Sequence, residues 1–247
     1  MGDVLKLAIG TFTRAPVPAP SSITRTTAGR AMALAPLVGM VLALVCGLPL
    51  LAVSTQLSAL LLATITIALL AWGTRGLHLD GLADTADALG SGQPAQQALA
   101  IARKSDIGPF GVITLVLALL LQIGSLAMCS QQANGYLAFA LAVLTSRVAL
   151  TWACIRAWPA ARPDGLGAVV AGTVPIIVPA AWTLIALTGS YLLAGLAGSA
   201  ATATGLIAAA VVLRIARRRL GGITGDVLGA VMEVTMTVSL VVLALAN

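Results

Sequence analysis

The chain has 247 residues, of which 59% are hydrophobic and only 9% charged, with a mean hydropathy of +1.03. Soluble domains carry about 25% charged residues, so the composition excludes an ordinary soluble fold and points to an integral membrane protein with several spans. The net charge of +6 comes without a basic stripe interleaved with aromatics. That argues against a nucleic-acid partner and leaves membrane orientation as its explanation.

Residues 1–30 begin as a short amphipathic stretch (Val4, Leu7, Ala8) and continue as "TRAPVPAPSS". Pro16, Pro18 and Pro20 forbid a continuous helix there, and the segment is expected at the membrane interface. The charged, proline-containing lead is not the layout of a cleaved signal peptide. Apolar runs follow at 31–53, 57–75, 108–129, 135–157, 175–194, 196–214 and 227–246. Each is close to the roughly 20 helical residues needed to cross a hydrocarbon core about 30 Å thick. The expectation is an all-α bundle of about seven transmembrane helices, forming one membrane-embedded domain over 1–247. The fifth and sixth runs meet in "TGSYLLAGLAGSA", where no charge marks the turn. Continuous rather than alternating apolar runs argue against a β-barrel. Cys46, Cys129 and Cys154 each stand alone in an apolar run, which suggests core packing and no disulfide or zinc site.

Lys and Arg sort strongly among the loops. Thirteen of the 14 lie before run one, or between or at the facing ends of runs two and three, four and five, and six and seven. The alternate loops carry none, and Arg147 lies inside run four. The positive-inside rule then places the N-terminus in the cytoplasm and, with seven spans, the C-terminus outside. The acids follow the same partition, except Glu233, about two turns into the last run. Polar chemistry is therefore expected on the cytoplasmic face.

The densest cluster is "GLHLDGLADTADALGSG", residues 76–92, with His78, Asp80, Asp84 and Asp87. On a helix, the i, i+4, i+7 spacing sets the three carboxylates within about 60° of one another. Such a stripe must be relieved by protonation or by a cation, and oxygen donors suit Mg²⁺ or Mn²⁺. The plainer reading is a solvated loop whose acids cap the next helix. A second constellation, "RRRLGGITGDVLGAVMEVT", runs through a Gly-rich turn to Asp226 and Glu233. Gly221, Gly222 and Gly225 would let backbone N–H groups approach an anion; a flexible linker is the alternative. Weaker candidates are Arg103, Lys104, Ser105 and Asp106 in "ARKSDIGPFG", Asp164 in "ARPDGLG", and Arg147 in mid-span, which must face protein or water and is open to pairing with an acid of the 76–92 cluster or with a substrate phosphate.

"GLHLDGLADTADALG", "ARKSDIGPFG", "ARPDGLGAV" and "LGGITGDVLGAVMEV" occur in this order between Gly76 and Val234, behind an opening "FTRAPVP". Together these motifs resemble the cobalamin synthase family, adenosylcobinamide-GDP ribazoletransferase. The Asp-Gly…Asp…Asp part alone indicates only the wider group of membrane phosphoalcohol transferases. The resemblance implies transfer of cobinamide phosphate from adenosylcobinamide-GDP to a ribose hydroxyl of α-ribazole or its 5′-phosphate, with release of GMP and with Mg²⁺ as cofactor. It also implies a place in the prokaryotic cytoplasmic (inner) membrane; the sequence is compatible with a homodimer. By motif position, Asp80, Asp84 and Asp87 match the family's acidic cluster, and Gly225, Asp226 and Glu233 its C-terminal motif. In the middle motif the acid and one base have traded places, so Asp106 departs from the family pattern while Arg103 and Ser105 match it. The expected roles are metal ligation by Asp80, Asp84, Asp87, Asp226 and Glu233, and proton transfer by Asp87 with His78 second. Substrate contact is expected from Arg103, Ser105, Asp106, Arg147, Asp164, Gly222, Thr224 and Gly225. The rival readings are a CDP-alcohol phosphotransferase, a divalent cation transporter and a non-catalytic membrane scaffold.

Overall fold

The computed structural model describes residues 1–53, 57–104 and 106–246. Its helices are α1 Asp3–Phe12, α2 Arg25–Ala33, α3 Ala35–Cys46 with a 3-10 turn at Leu48–Ala52, α4 Ala59–Gly73, α5 Leu77–Gly90, α6 Ala95–Ile101, α7 Pro109–Gln131, α8 Gly135–Ala153, α9 Gly165–Val170, α10 Ile177–Leu220 and α11 Gly225–Ala246. Among the described residues the sole β feature is a bridge between Ala160 and Ile223. The chain is a polytopic membrane helical bundle, as its composition requires.

Five stretches are long and apolar enough to cross a bilayer: Ala35–Ala52, α7, α8, α10 and α11; α4 and α5 qualify as a pair, bent by 88°. α10 has 44 residues, which a straight helix would stretch to about 66 Å, twice the hydrocarbon thickness. It is not straight. Ala194 (φ −137°, ψ 17°) and Gly195 (φ 60°, ψ −149°) break it. A Cβ on Gly198 would collide with the carbonyl oxygen of Ser190, which a straight helix would hold about 12 Å away. The reversal falls where the runs 175–194 and 196–214 meet. The expected break between the first two runs includes residues 54–56, outside the described residues. The fourth run ends early, at Ala153 rather than 157.

α8 and α11 form the middle of the bundle. Of their most apolar stretches, 72% and 78% are buried, against 28% for α7, which lies at the periphery. One apolar cluster joins Met32, Leu150, Leu213, Val227 and Leu228; another joins Ile67, Leu126, Phe139, Met236 and Leu240. Cys46, Cys129 and Cys154 are buried and free.

The loops gather at one end. After α4 the chain turns through Arg75 (φ 59°) and Gly76 (φ 67°). Gly76 N–H donates to the Ala71 carbonyl at 2.7 Å, closing the helix, and glycine takes this left-handed position without steric cost. The reversal swings α5 out of the line of the spans. The Ala161 N–H donates to the Ile223 carbonyl (2.9 Å) and the Ile223 N–H to the Pro159 carbonyl (2.8 Å), tying the loop after α8 to the turn before α11. The Arg25 guanidinium donates to the carbonyls of Ala168 and Ala171, and that of Arg75 to Gly10. These bonds hold α1, α2, α5, α9 and the start of α11 at the same end.

Candidate active site

The site is organised by close approach of two backbones. A Cβ on Gly81 would lie 2.7 Å from the carbonyl oxygen of Asp226, and one on Gly229 would lie 3.0 Å from that of His78. Glycine at both positions lets α5 and α11 touch main chain to main chain. That contact brings the acids of α5 alongside the first turn of α11.

Three carboxylates share this junction. Asp80 is exposed, and Asp84 and Asp226 are half-buried. Burial and the neighbouring Asp80, Asp226 and Asp87 carboxylates push the Asp84 carboxyl up to about 6, against the pull of Arg162. Asp226 feels the charges of Arg162, Asp80 and Arg103. Its Oδ2 accepts from the Thr224 hydroxyl at 3.2 Å, and Thr224 Oγ1 in turn accepts from Val227 N–H, also at 3.2 Å. Thr224 therefore caps α11 and steadies Asp226. Gly222 is buried against the Pro159 carbonyl, and Gly225 opens α11 half-buried.

Asp87 lies on the same helix but is employed differently. It is 7% exposed; Oδ2 accepts from Gly108 N–H at 2.7 Å and Oδ1 from Gly111 N–H at 2.9 Å. Those are orphan donors at the start of α7, where Pro109 supplies none. Both Asp87 oxygens are thus committed to capping a neighbouring helix. The plainer sequence reading put the acids in a solvated loop capping the next helix; Asp87 does cap, but from inside α5, buried, and onto α7 rather than the following α6.

His78, Arg147 and Glu233 form a separate polar group inside the bundle. All are buried, at 2%, 1% and 5% exposure. Arg147 donates to Ser146 Oγ at 2.7 Å, and its other terminal nitrogen lies 3.5 Å from His78 Nδ1. Glu233 accepts from Gln122 Nε2 at 2.9 Å and attracts the Arg147 charge. The direct side-chain contacts of Arg147 are Ser146 and His78, and Glu233 acts on it through charge alone. His78 Nε2 has no partner among the described residues. The cavity lined in part by His78 holds about 20 Å³, room for one water and no substrate.

At the rim, Arg103 Nη2 alone donates to both carboxylate oxygens of the exposed Asp164, at 2.5 and 2.6 Å. Asp106 is exposed, and Ser105 lies outside the described residues. Sequence reasoning missed Arg162. Its Nη2 donates to the Leu99 carbonyl at 2.6 Å, and its charge acts on both Asp84 and Asp226. The signal was weak, a single Arg in a Pro-Asp-Gly turn; the bridge from Ala160 to Ile223 is what delivers it. Gln122, the partner of Glu233, was missed as an ordinary polar residue in a span.

No three His, Cys, Asp or Glu side chains among the described residues converge as a ready-made metal cage. Mg²⁺ does not need one. It binds through one or two carboxylates, water and substrate phosphate oxygens. Asp80, Asp84 and Asp226 offer hard oxygen donors whose mutual repulsion a cation would relieve, so the donor set fits.

Fold and site together define a helical membrane protein whose acids, from two helices in main-chain contact, face arginines at one end of the bundle. The family model for cobalamin-5-phosphate synthase matches residues 4–244, and the chain belongs to that family. Among its relatives are proteins named adenosylcobinamide-GDP ribazoletransferase. The one from Frankia casuarinae is 40% identical, covering 97% of this chain and 94% of the relative. That from a Nocardioides species is 39% identical, covering 97% of each chain, and that from Geotalea daltonii 36%, covering 92% and 91%. No solved structure matches the chain.

Proposed function

We propose that the chain acts in cobalamin biosynthesis as an adenosylcobinamide-GDP ribazoletransferase. It joins the cobinamide-phosphate part of adenosylcobinamide-GDP to a ribose hydroxyl of α-ribazole, or of its 5′-phosphate. A new P–O bond forms to the ribose oxygen, the diphosphate bridge breaks, and GMP leaves. Family membership supports the reaction class. The observation that carries the site is the contact of Gly81 with the Asp226 backbone, which sets Asp80 and Asp84 opposite Asp226.

The chemistry follows from those groups. Phosphoryl transfer depends mainly on positioning and on neutralising charge around the phosphoryl oxygens. Asp80 and Asp226 would hold Mg²⁺, or Mn²⁺ in its place, and the chemistry such an ion would supply is neutralisation of charge on the diphosphate and on the leaving GMP. Arg162 and Arg103 orient the diphosphate by charge-assisted hydrogen bonds; Arg103 is freed from Asp164 as the phosphate replaces it. Asp84 accepts the ribose hydroxyl proton, since a base works best with its pKa near the working pH. Asp87 and His78 are set aside from that role: the first has both oxygens engaged, and the second faces the interior. Arg147, Glu233 and Gln122 brace α7, α8 and α11 beneath the site.

The Lys/Arg distribution supports a cytoplasmic N-terminus and a site on the cytoplasmic face of the prokaryotic inner membrane, open to soluble nucleotide-linked donors. The test is purified protein in lipid vesicles, offered adenosylcobinamide-GDP or a CDP-alcohol. GMP release that depends on α-ribazole is the expected result. CMP release from the CDP-alcohol, without GMP, would overturn the assignment.

A further inference from the structure

The N-terminal segment and the end of α4 enclose a groove that the transfer reaction does not use. It holds about 670 Å³. Its walls are Leu5 and Ile9 of α1, Val41 and Val45 of α3, and Leu69 and Trp72 of α4. Five of these are exposed, with Val41, Val45 and Trp72 at 60–63%. One cation also lines it. The Arg14 guanidinium lies over the Trp72 ring, 4.7 Å from its centroid, within cation–π range. Arg14 N–H donates to the Gly73 carbonyl at 2.7 Å, fixing the residue at the end of α4. Among the described residues its guanidinium has no carboxylate partner.

We propose that this groove binds one anionic phospholipid, with an acyl chain along the apolar walls and the phosphate on the Arg14 guanidinium. The wall side chains are apolar and offer a chain no hydrogen bond, which suits hydrocarbon. The guanidinium offers planar paired donors that match phosphate oxygens. Charge selects the headgroup. Arg75, beside the groove and anchored on the Gly10 carbonyl, adds a second positive charge that favours a net-negative lipid over a zwitterionic one. Basic pockets between spans hold anionic headgroups by this physics. The lipid would also brace the turn at Arg75 and Gly76, from which α5 carries Asp80 and Asp84 toward Asp226.

The test is native mass spectrometry of the full chain, titrated with phosphatidylglycerol or with phosphatidylcholine of identical chains. Phosphatidylglycerol should form a one-to-one complex about fivefold more tightly, the worth of about one cation near a lipid surface. Arg14→Gln should weaken retention of both lipids and reduce that preference, with Arg75 keeping the remainder. Val41→Trp, which fills the groove and leaves Arg14 in place, should reduce retention of both lipids. Glycerol phosphate in excess should not displace the lipid. Equal retention of the two lipids by the unaltered chain, undiminished preference in Arg14→Gln, unchanged retention in Val41→Trp, or displacement by glycerol phosphate would each overturn the proposal.

Discussion

Gly81 and Asp226, 145 positions apart in the sequence, meet so closely that a Cβ on Gly81 would sit 2.7 Å from the Asp226 carbonyl oxygen. One methyl group at that point has nowhere to go, because the atom it meets is backbone. The contact sets the distance between the acids of α5 and that of α11, and a single-atom change there should propagate to the chemistry.

Gly81→Ala should therefore lower both stability and rate. Overpacking of this kind costs about 1–3 kcal/mol, read as a lower apparent melting temperature, with activity falling further than stability alone explains. Gly124→Ala is the control, since a Cβ there meets nothing within 4 Å. It should be neutral or mildly stabilising, as expected for alanine in a helix. Equal behaviour of the two variants would remove the close-approach argument.

Asp87→Ala should damage folding more than chemistry. It strips the acceptors from the N–H groups of Gly108 and Gly111, and each buried donor left unpaired costs about 1–3 kcal/mol. The melting temperature should drop, and excess Mg²⁺ should not restore it. A variant with normal melting and lost activity would return Asp87 to the catalytic list.

The acidic helix was legible because three carboxylates at i, i+4, i+7 have no apolar explanation. Their separate roles were not, because one stripe runs from solvent at Asp80 to a buried position against the start of α7 at Asp87. Depth along a helix depends on what packs over it, and periodicity carries no record of that. The reversal at Ala194 and Gly195 was foreseeable from apolar length alone. Arg147 announced itself as a buried charge, yet its neighbours His78 and Glu233 come from distant segments. Arg162 was hidden for the same reason, since only the bridge between Ala160 and Ile223 brings its turn to the acids.

Arg162→Gln should leave folding nearly intact and slow transfer by about 10²–10³-fold, the usual cost of removing a donor that stabilises developing charge. Arg162→Lys should recover part of the rate, because it keeps the charge but not the paired donors. Single-turnover rates alongside melting curves separate this from a structural defect. Unchanged turnover in Arg162→Gln would take it out of the site.

The pH dependence of metal-free stability follows from Asp84. Its carboxyl is raised from the ordinary 3.8 to about 6, first by burial and then by its acidic neighbours. The folded chain therefore holds a proton there that the unfolded chain releases, between those two values. Stability should fall as pH rises through that window and stay lower above it. Asp84→Asn should flatten this step, melting higher than the unaltered chain at pH 7.5 in chelator and showing no such advantage near pH 4. An unchanged pH profile in the variant would contradict the coupling of Asp84 to Asp80 and Asp226.

The central claim is that acids from α5 and α11 jointly serve one divalent cation in the transfer reaction. Its most direct measurement is the Mg²⁺ dependence of GMP release from adenosylcobinamide-GDP and α-ribazole, for the unaltered chain, Asp80→Asn and Asp226→Asn. The account predicts no turnover in chelator. Both variants should need much higher Mg²⁺, with part of the rate recovered at saturation and with near-normal melting temperatures. Full turnover in chelator, or Mg²⁺ curves that coincide for all three proteins, would contradict it.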